Sequence, residues 1–486
     1  MRKQIRRMTG ALLVLMYLAG AAGAAPAEEM TLVEDPALTE AVAQAEAVVH
    51  AETAPAESRR PGERVFPEAL LFTQTNTAEK MDGYRLVSVT VPHTAREDVD
   101  REITAIVEGM RDEGLPYLKK SSSVTKFNHL EAGAFITRTG DRWMSFLVIG
   151  RVTEEREQTW VAMQTRVYNM ETGKRILLED IVREDAWPTL EAEVRQQLAA
   201  LFPEEADEAK LDALCSREGL CSAGMTVSPG HLSLIWRADQ LYPEHENCLM
   251  RAEIYVPGLY DLLTDKAQAE MDCTGYTMIA LTYDDGPRLG SSDKLVNELQ
   301  LYGGEYTFFI IGTKIRKFPD ILHREYDAGF SIQSHTWDHK STGINRAKAQ
   351  SGKEKMDQEM ARVIGAAPKM MRSPGGQDNL FGKFDLGLPM IRWSINSGDA
   401  DSKNDNNLNS AKIKLKVLQA EDGDIVLLHD GNPKAGEHTR YYIPALLKRN
   451  VMLVTVNDLC ALRNVALTPG AEIVSCPPPA EDAAEP

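Results

Sequence analysis

Four short segments hold residue types able to do chemistry together. Thr282-Tyr283-Asp284-Asp285-Gly286-Pro287 sets two adjacent carboxylates in a turn, and His335-Thr336-Trp337-Asp338-His339 spaces two imidazoles as H-x3-H. On a helical turn positions i and i+4 share a face, so both rings can reach one ion. Two histidines and one carboxylate make a zinc site that keeps a position open for water or substrate. Such an ion lowers the pKa of bound water to about 7 and polarises a carbonyl. The other two segments surround Arg372 and His429. A carboxylate kept ionised by a nearby cation can take a proton from water, and an imidazole can give one to a leaving group.

These residues need a scaffold that gathers them. From Thr277 onward, strand-like apolar runs are expected at Thr277–Tyr283, Glu305–Ile311, Phe330–Gln333, Lys369–Arg372, Met390–Trp393, Asp424–Leu428 and Val451–Val456. Helix-compatible stretches at Ser292–Leu301, Thr313–Tyr326, Arg346–Ile364 and Asn409–Ala420 lie between most of them. Alternating β and α units predict an α/β fold, a distorted parallel (β/α)7-type barrel spanning 273–464. In such barrels chemistry collects at the carboxyl ends of the strands, where all four segments fall.

Ahead of it, 65–272 reads as a smaller α+β domain. Strands are expected at Arg142–Val152, Gln158–Asn169, Leu232–Trp236 and Ala252–Val256, with a turn at Glu171–Lys174. Trp187, Leu190, Val194, Leu198 and Leu201 recur at helical spacing. His93, His129, His231 and His245 stand apart in sequence and read as ordinary core or surface histidines.

The flanks are simpler. Residues 1–24 read as a signal peptide: Arg2, Lys3, Arg6 and Arg7, then an apolar run from Ala11, then Ala22-Gly23-Ala24. A membrane role is expected only if that segment stays as an anchor. Residues 25–64 form an acidic Ala/Glu/Pro spacer, and 465–486 a Pro-rich acidic tail. With 43% hydrophobic and 26% charged residues the chain is globular, and a net charge of -18 argues against nucleic acid as a partner. Export makes the six cysteines candidates for disulfides, Cys215 with Cys221 and Cys460 with Cys476 being the local choices.

The motif set over Met271–Leu462 resembles the polysaccharide deacetylase family, the NodB-homology or carbohydrate esterase family 4. The resemblance implies Asp284 as general base and Asp285, His335 and His339 as ligands of one divalent ion, zinc first, with cobalt or another divalent ion able to serve. Arg372-Ser373-Pro374-Gly375-Gly376 matches the motif whose arginine holds the base, with the Gly375 N–H toward an oxyanion. Leu427-Leu428-His429-Asp430 matches the motif that supplies the general acid His429 and the acetate-lining Leu427. In the remaining motif Asp399 keeps the acid that orients the histidine, while Asn396 and Ala400 replace an Asp and a Trp. Tyr283, Gly375, Leu427 and Trp393 are expected to contact substrate.

The implied activity is removal of N-acetyl groups from amino sugars of a cell-wall polysaccharide, peptidoglycan first, by a secreted or cell-surface enzyme. An O-acetyl esterase on a polymer such as xylan and a catalytically silent wall- or inhibitor-binding protein are the alternatives. Asn169–Lys174 and the Leu232–Leu263 segment loosely resemble extracytoplasmic domains found ahead of such enzymes, which makes a wall or protein ligand conceivable for 65–272.

Overall fold

The computed structural model describes residues 63–121, 128–201, 207–340, 343–376, 384–400 and 407–478. The expected signal segment, nearly all of the spacer and the end of the tail lie outside the described residues. Within them no helix is long and apolar enough to cross a membrane.

The chain is mixed α/β. β1 (Phe72–Met81) and β2 (Arg85–Thr94) pair antiparallel across a tight turn. In α1 (Glu97–Gly114), Val99, Ile103, Val107 and Met110 recur every three or four positions and bury one stripe. A helix between strands permits a parallel return, and β3 (Asn128–Thr139) lies parallel to β2. β4 (Trp143–Glu154) and β5 (Glu157–Asn169) follow antiparallel, and the α1 stripe packs on Ala134, Ile136, Phe146 and Val148.

α2 (Trp187–Ala199) then turns Trp187, Leu190, Val194 and Leu198 onto a three-stranded antiparallel sheet. That sheet is β6 (Gly224–Val227), β7 (His231–Arg237) and β8 (Leu249–Tyr255).

The second large sheet is parallel. Its elements are β9 (Thr277–Gly286), α3 (Ser292–Tyr302), β10 (Thr307–Ile310), α4 (Pro319–Asp327), β11 (Ser331–Ser334), α5 (Arg346–Ile364), β12 (Ile425–His429), α6 (Ala435–Lys448), β13 (Val451–Leu453) and α7 (Val456–Leu462). The order is β11-β10-β9-β12 and then the short strand Ile395–Asn396, with β13 on the first half of β9.

β9 is apolar on both faces because both are covered. Met278 and Ala280 meet Phe309, Ile391, Ile425 and Met452 on one side. Ile279, Leu281 and Tyr283 meet Leu295, Leu299, Tyr442 and Leu446 of the helices on the other.

Two expected strands are much reduced. Lys369–Arg372 contributes one bridging residue, Met371, and only Met390–Ile391 of Met390–Trp393 is a strand. The helix expected at Thr313–Tyr326 is two, Gly312–Ile315 and α4, because Pro319 lacks the N–H that a continuous helix needs and starts a new one.

The two large sheets meet through charge as well as packing. Arg324 of α4 pairs with Glu131 of β3 at 2.7 Å, and Arg151 of β4 lies 3.6 Å from Asp327. No disulfide is formed among the six cysteines in this structure; the sulfurs of Cys460 and Cys476 lie 3.2 Å apart, while Cys215 and Cys221 show no such approach.

Candidate active site

The parallel register does the first part of the assembly. Asp284 and His429 are direct partners across β9 and β12, both at carboxyl ends. Alternation along β9 puts Thr282 and Asp284 on the face opposite Tyr283. Gly286 follows at a point where a Cβ would lie 1.9 Å from an Asp430 oxygen, so the turn tolerates no side chain there.

Asp284 is buried and held from one side. Arg372 Nη1 donates to Asp284 Oδ1 and to Thr282 Oγ1, both at 2.7 Å. Its Nε and Nη2 donate to the carbonyls of Ile391 and Arg392. The guanidinium also lies 4.1 Å from the Phe309 ring centre and 5.7 Å from that of Trp393. Burial pushes the guanidinium pKa down, and the charge and hydrogen bond of Asp284 oppose this. A planar fork with every nitrogen engaged fixes where the carboxylate points.

The two histidines converge by a different route from the expected one. Residues 335–339 form bends, not a helical turn, so a shared helical face does not bring them together. Left-handed backbone at Thr336 (φ 69) and His339 (φ 55) turns the chain back, and the two rings lie 4.9 Å apart. His335 Nδ1 faces the Arg372 carbonyl at 3.0 Å, which fixes the proton on Nδ1 and leaves Nε2 a lone pair. His335 Nε2 is 3.5 Å and His339 Nε2 3.1 Å from Asp285 Oδ1.

That oxygen is buried, and no hydrogen bond with adequate geometry reaches it among the described residues. Two imidazole nitrogens crowding an unsatisfied carboxylate oxygen fit a shared cation better than a hydrogen-bond network. Burial pushes the Asp285 carboxyl up, but the His339 contact and the neighbouring imidazole charges outweigh it and hold it well below the usual range. Burial keeps the His335 imidazole low in pKa, the neutral form that binds metals.

His429 sits beside this group with its ring fully oriented. Its Nδ1 is 2.7 Å from Asp399 Oδ1 and its backbone N–H donates to Asp399 Oδ2 at 2.8 Å. Burial pushes the imidazole down, but the Asp399 hydrogen bond and charge, with Asp284 and Asp285 behind, raise it to about 9. The protonated ring can therefore serve as an acid near neutral pH.

The expected substrate contacts divide. Leu427 shares the site-facing side of β12 with His429, and Gly375 is exposed on left-handed backbone (φ 68) just after Arg372. Trp393 stands half-buried against Arg372. Tyr283 does not belong with them. Its ring stacks on Phe308 in the helix-covered core and its hydroxyl meets Tyr442 at 3.0 Å, because odd positions of β9 face the helices.

Residues 272–380 match the family model described as polysaccharide deacetylase. This stretch is similar to the polysaccharide deacetylase family. The chain is 30% identical over 183 residues to the peptidoglycan-N-acetylglucosamine deacetylase PgdA of Listeria monocytogenes, and 26% identical over 183 residues to the peptidoglycan-N-acetylmuramic acid deacetylase PdaC of Bacillus subtilis. Each alignment takes in 37% of this chain and 38% of the relative, so the chain spans well under half the length of these relatives. The solved structure of Bacillus subtilis PdaC aligns at a TM-score of 0.36 and 26% identity, over 39% of this chain and 92% of that one.

Within and beyond the matched stretch, sequence reasoning missed the residues that hold the holders. Ser397 Oγ donates to Asp399 Oδ1 at 2.8 Å, and Asn432 Nδ2 donates to the Asp399 carbonyl at 3.1 Å. Thr282 steadies Arg372 and donates in turn to the Val426 carbonyl. Ser397 lies inside a recognised motif and was findable. Asn432 carries no sequence signal at all.

Proposed function

We propose that this protein is a metal-dependent hydrolase that removes N-acetyl groups from N-acetylhexosamines of a cell-wall polysaccharide, peptidoglycan being the substrate of first choice. The observation that carries the reading is the convergence of a clamped carboxylate, a three-ligand cluster and an aspartate-backed histidine at the ends of adjacent parallel strands. Relatives acting on both peptidoglycan sugars support N-acetylglucosamine and N-acetylmuramic acid as the residues attacked. We read the parallel sheet as a (β/α)-type barrel, the 65–272 region as an accessory domain, and the protein as exported, with Cys460 and Cys476 joined in the oxidising compartment.

Asp285, His335 and His339 would hold one divalent ion, zinc or cobalt. When bound, that ion supplies Lewis-acid polarisation of the amide carbonyl and acidifies water. Asp284, fixed by Arg372, accepts the proton of the attacking water as its oxygen bonds to the acetyl carbon. The Gly375 N–H donates to the oxyanion that develops on the carbonyl. As the C–N bond breaks, His429 passes its proton from Nε2 to the leaving amine, and acetate and a free amino sugar result. Asp399 keeps the ring aimed, while Leu427 and Trp393 line the acetyl group. Asn396 is exposed and its Oδ1 accepts from the Gly398 N–H; Ala400 is exposed too, which leaves the acetyl side of the site open to a larger acyl group or to water.

The test is acetate release from peptidoglycan, chitooligosaccharides and acetylated xylan by purified protein, with chelator and then with zinc or cobalt restored. Release from the first that stops with chelator and returns with metal is expected. Release from xylan alone would move the reading to an ester, and release from none would leave a binding protein.

A further inference from the structure

His231, one of the histidines that stands alone in sequence, is not alone in space. It opens β7 of the small antiparallel sheet, and its Nδ1 lies 2.7 Å from Asp458 Oδ1 of α7, across the junction with the parallel sheet. Glu305, just ahead of β10, completes a group whose ligand atoms all lie within 4.8 Å of one another. The three residues are 4%, 0% and 6% exposed.

The carboxylates are held from outside the group. Thr455 Oγ1 donates to Asp458 Oδ2 at 2.8 Å, and Ser228 Oγ donates to Glu305 Oε1 at 2.7 Å. Glu305 Oε2 is buried with no hydrogen-bond partner among the described residues. An unmet carboxylate oxygen in such a place is costly unless something positive occupies the space before it. Among the described residues no lysine or arginine pairs with Glu305 or Asp458; the one ion-pair partner is His231 itself. Without a metal, burial opposes the imidazolium but the Asp458 and Glu305 charges raise His231 to about 10, and burial raises Glu305 to about 8. A divalent cation that displaces those protons meets a neutral imidazole and two carboxylates, whose two negative charges it cancels.

The backbone makes room for this meeting. Gly230 comes so close to Asp458 that a Cβ would lie 2.5 Å from its Oδ1 and 2.7 Å from its Cα. An approach route exists as well, since His231 lines a cavity of about 600 Å³ together with Tyr255, Thr455 and Asn457.

We infer that His231, Glu305 and Asp458 form a second divalent-cation site, separate from Asp285, His335 and His339, that ties the small antiparallel sheet to the parallel one. One imidazole nitrogen and carboxylate oxygens suit zinc or manganese, whereas the lack of thiolate disfavours softer ions. The role is structural: the site has no exposed ligand to offer a substrate, and its ligands come from three separated parts of the chain. Binding there stabilises the folded form, which alone brings the three together. None of this depends on the hydrolase reading.

The experiment uses the full chain carrying His335→Ala and His339→Ala, loaded with zinc or manganese, desalted and analysed for metal. About one equivalent per chain is expected to remain, and chelation is expected to lower the thermal midpoint. Adding Glu305→Gln, close in shape and able to keep the Ser228 contact, should weaken retention at least about tenfold, the loss of one charged ligand in a buried site. No retained metal in the first chain overturns the proposal, as does undiminished retention in the second. X-ray absorption at the zinc edge of the first chain gives a check that needs no further variant. One imidazole with oxygen donors is expected, and a sulfur or a second imidazole in the shell would overturn the assignment.

Discussion

His429 and His231 each place Nδ1 2.7 Å from an aspartate oxygen, of Asp399 and Asp458 respectively. The contact is the same and the surroundings are not. Asp399 spends Oδ1 on Ser397 and His429 and Oδ2 on the His429 backbone, so the pair is complete, and the ring keeps 14% of its surface open toward the Asp284 group. The His231 ring is 4% exposed, lies tilted against Tyr255 with ring centres 5.0 Å apart, and faces a second buried acid. A histidine–aspartate contact does not by itself specify proton transfer. What decides is whether the other ring nitrogen can reach a reactant.

The largest effect that would test this contrast is kinetic. His429→Gln should lower deacetylation about 10²–10⁴-fold with the fold intact, as loss of a general acid does. His231→Gln should instead show in a urea or thermal melt, with a cost of about 3–5 kcal/mol for leaving a buried partner uncompensated. If the two variants exchanged signatures, the distinction drawn here would be wrong.

Arg372→Ala addresses a third buried acid, Asp284, which has a guanidinium where the other two have imidazoles. It should cost about 3–5 kcal/mol in stability besides its loss of rate, since Asp284 stays buried without its cation. A melt unchanged within about 1 kcal/mol would show that water already compensates Asp284.

The pH profile probes the open pair alone. His429 has its folded pKa raised from 6.5 to about 9, so the acid form and the stability it contributes are fully present below 6.5 and lost as pH rises through about 9. The alkaline limb of kcat should fall between those values, the bound cation drawing it toward the lower one. Asp399→Asn should move it lower still; a limb that stays put would show that Asp399 does not set it.

The smallest effect belongs to the closed pair. Thr455 caps α7 by accepting from the Asp458 N–H and also donates to its side chain. Thr455→Ala should cost about 0.5–2 kcal/mol in the melt, with no change in the pH limb of kcat.

Much of the site was readable because its chemistry is local in sequence. Asp284-Asp285, His335 with His339, Arg372 and His429 each sit in a short run at a strand end, and strands apolar on both faces are easy to see. What failed was local conformation. The H-x3-H spacing suggests a helical face, yet left-handed residues supply the convergence, and no pattern of residue types announces that. Tyr283 was misread because a motif shows which residues adjoin, whereas the two-residue period of a strand sends neighbours to opposite sides.

In the first sheet β1 escaped notice because it is an exposed edge, Thr, Gln, Asn, Glu and Lys along most of its length, with no alternation to detect. α1 was regular enough to find, but its acidic surface resembles the spacer before it. The His231 group was invisible for a different reason. Its members are 74 and 153 positions apart along the chain, and only the packing of two sheets makes them neighbours.

The register that sets Asp284 opposite His429 has a consequence for how this site can change. Neighbouring strands run about 4.8 Å apart, so the span between Asp284 and His429 belongs to the lattice of the sheet and no loop can widen it. The rims are another matter: residues 335–340, 373–376 and 397–400 leave the strand ends as bends, loops and short tight turns. The molecule is a vice with a fixed gap and exchangeable jaw faces, in which new sugars are accommodated by regrinding the faces while the screw stays where it is.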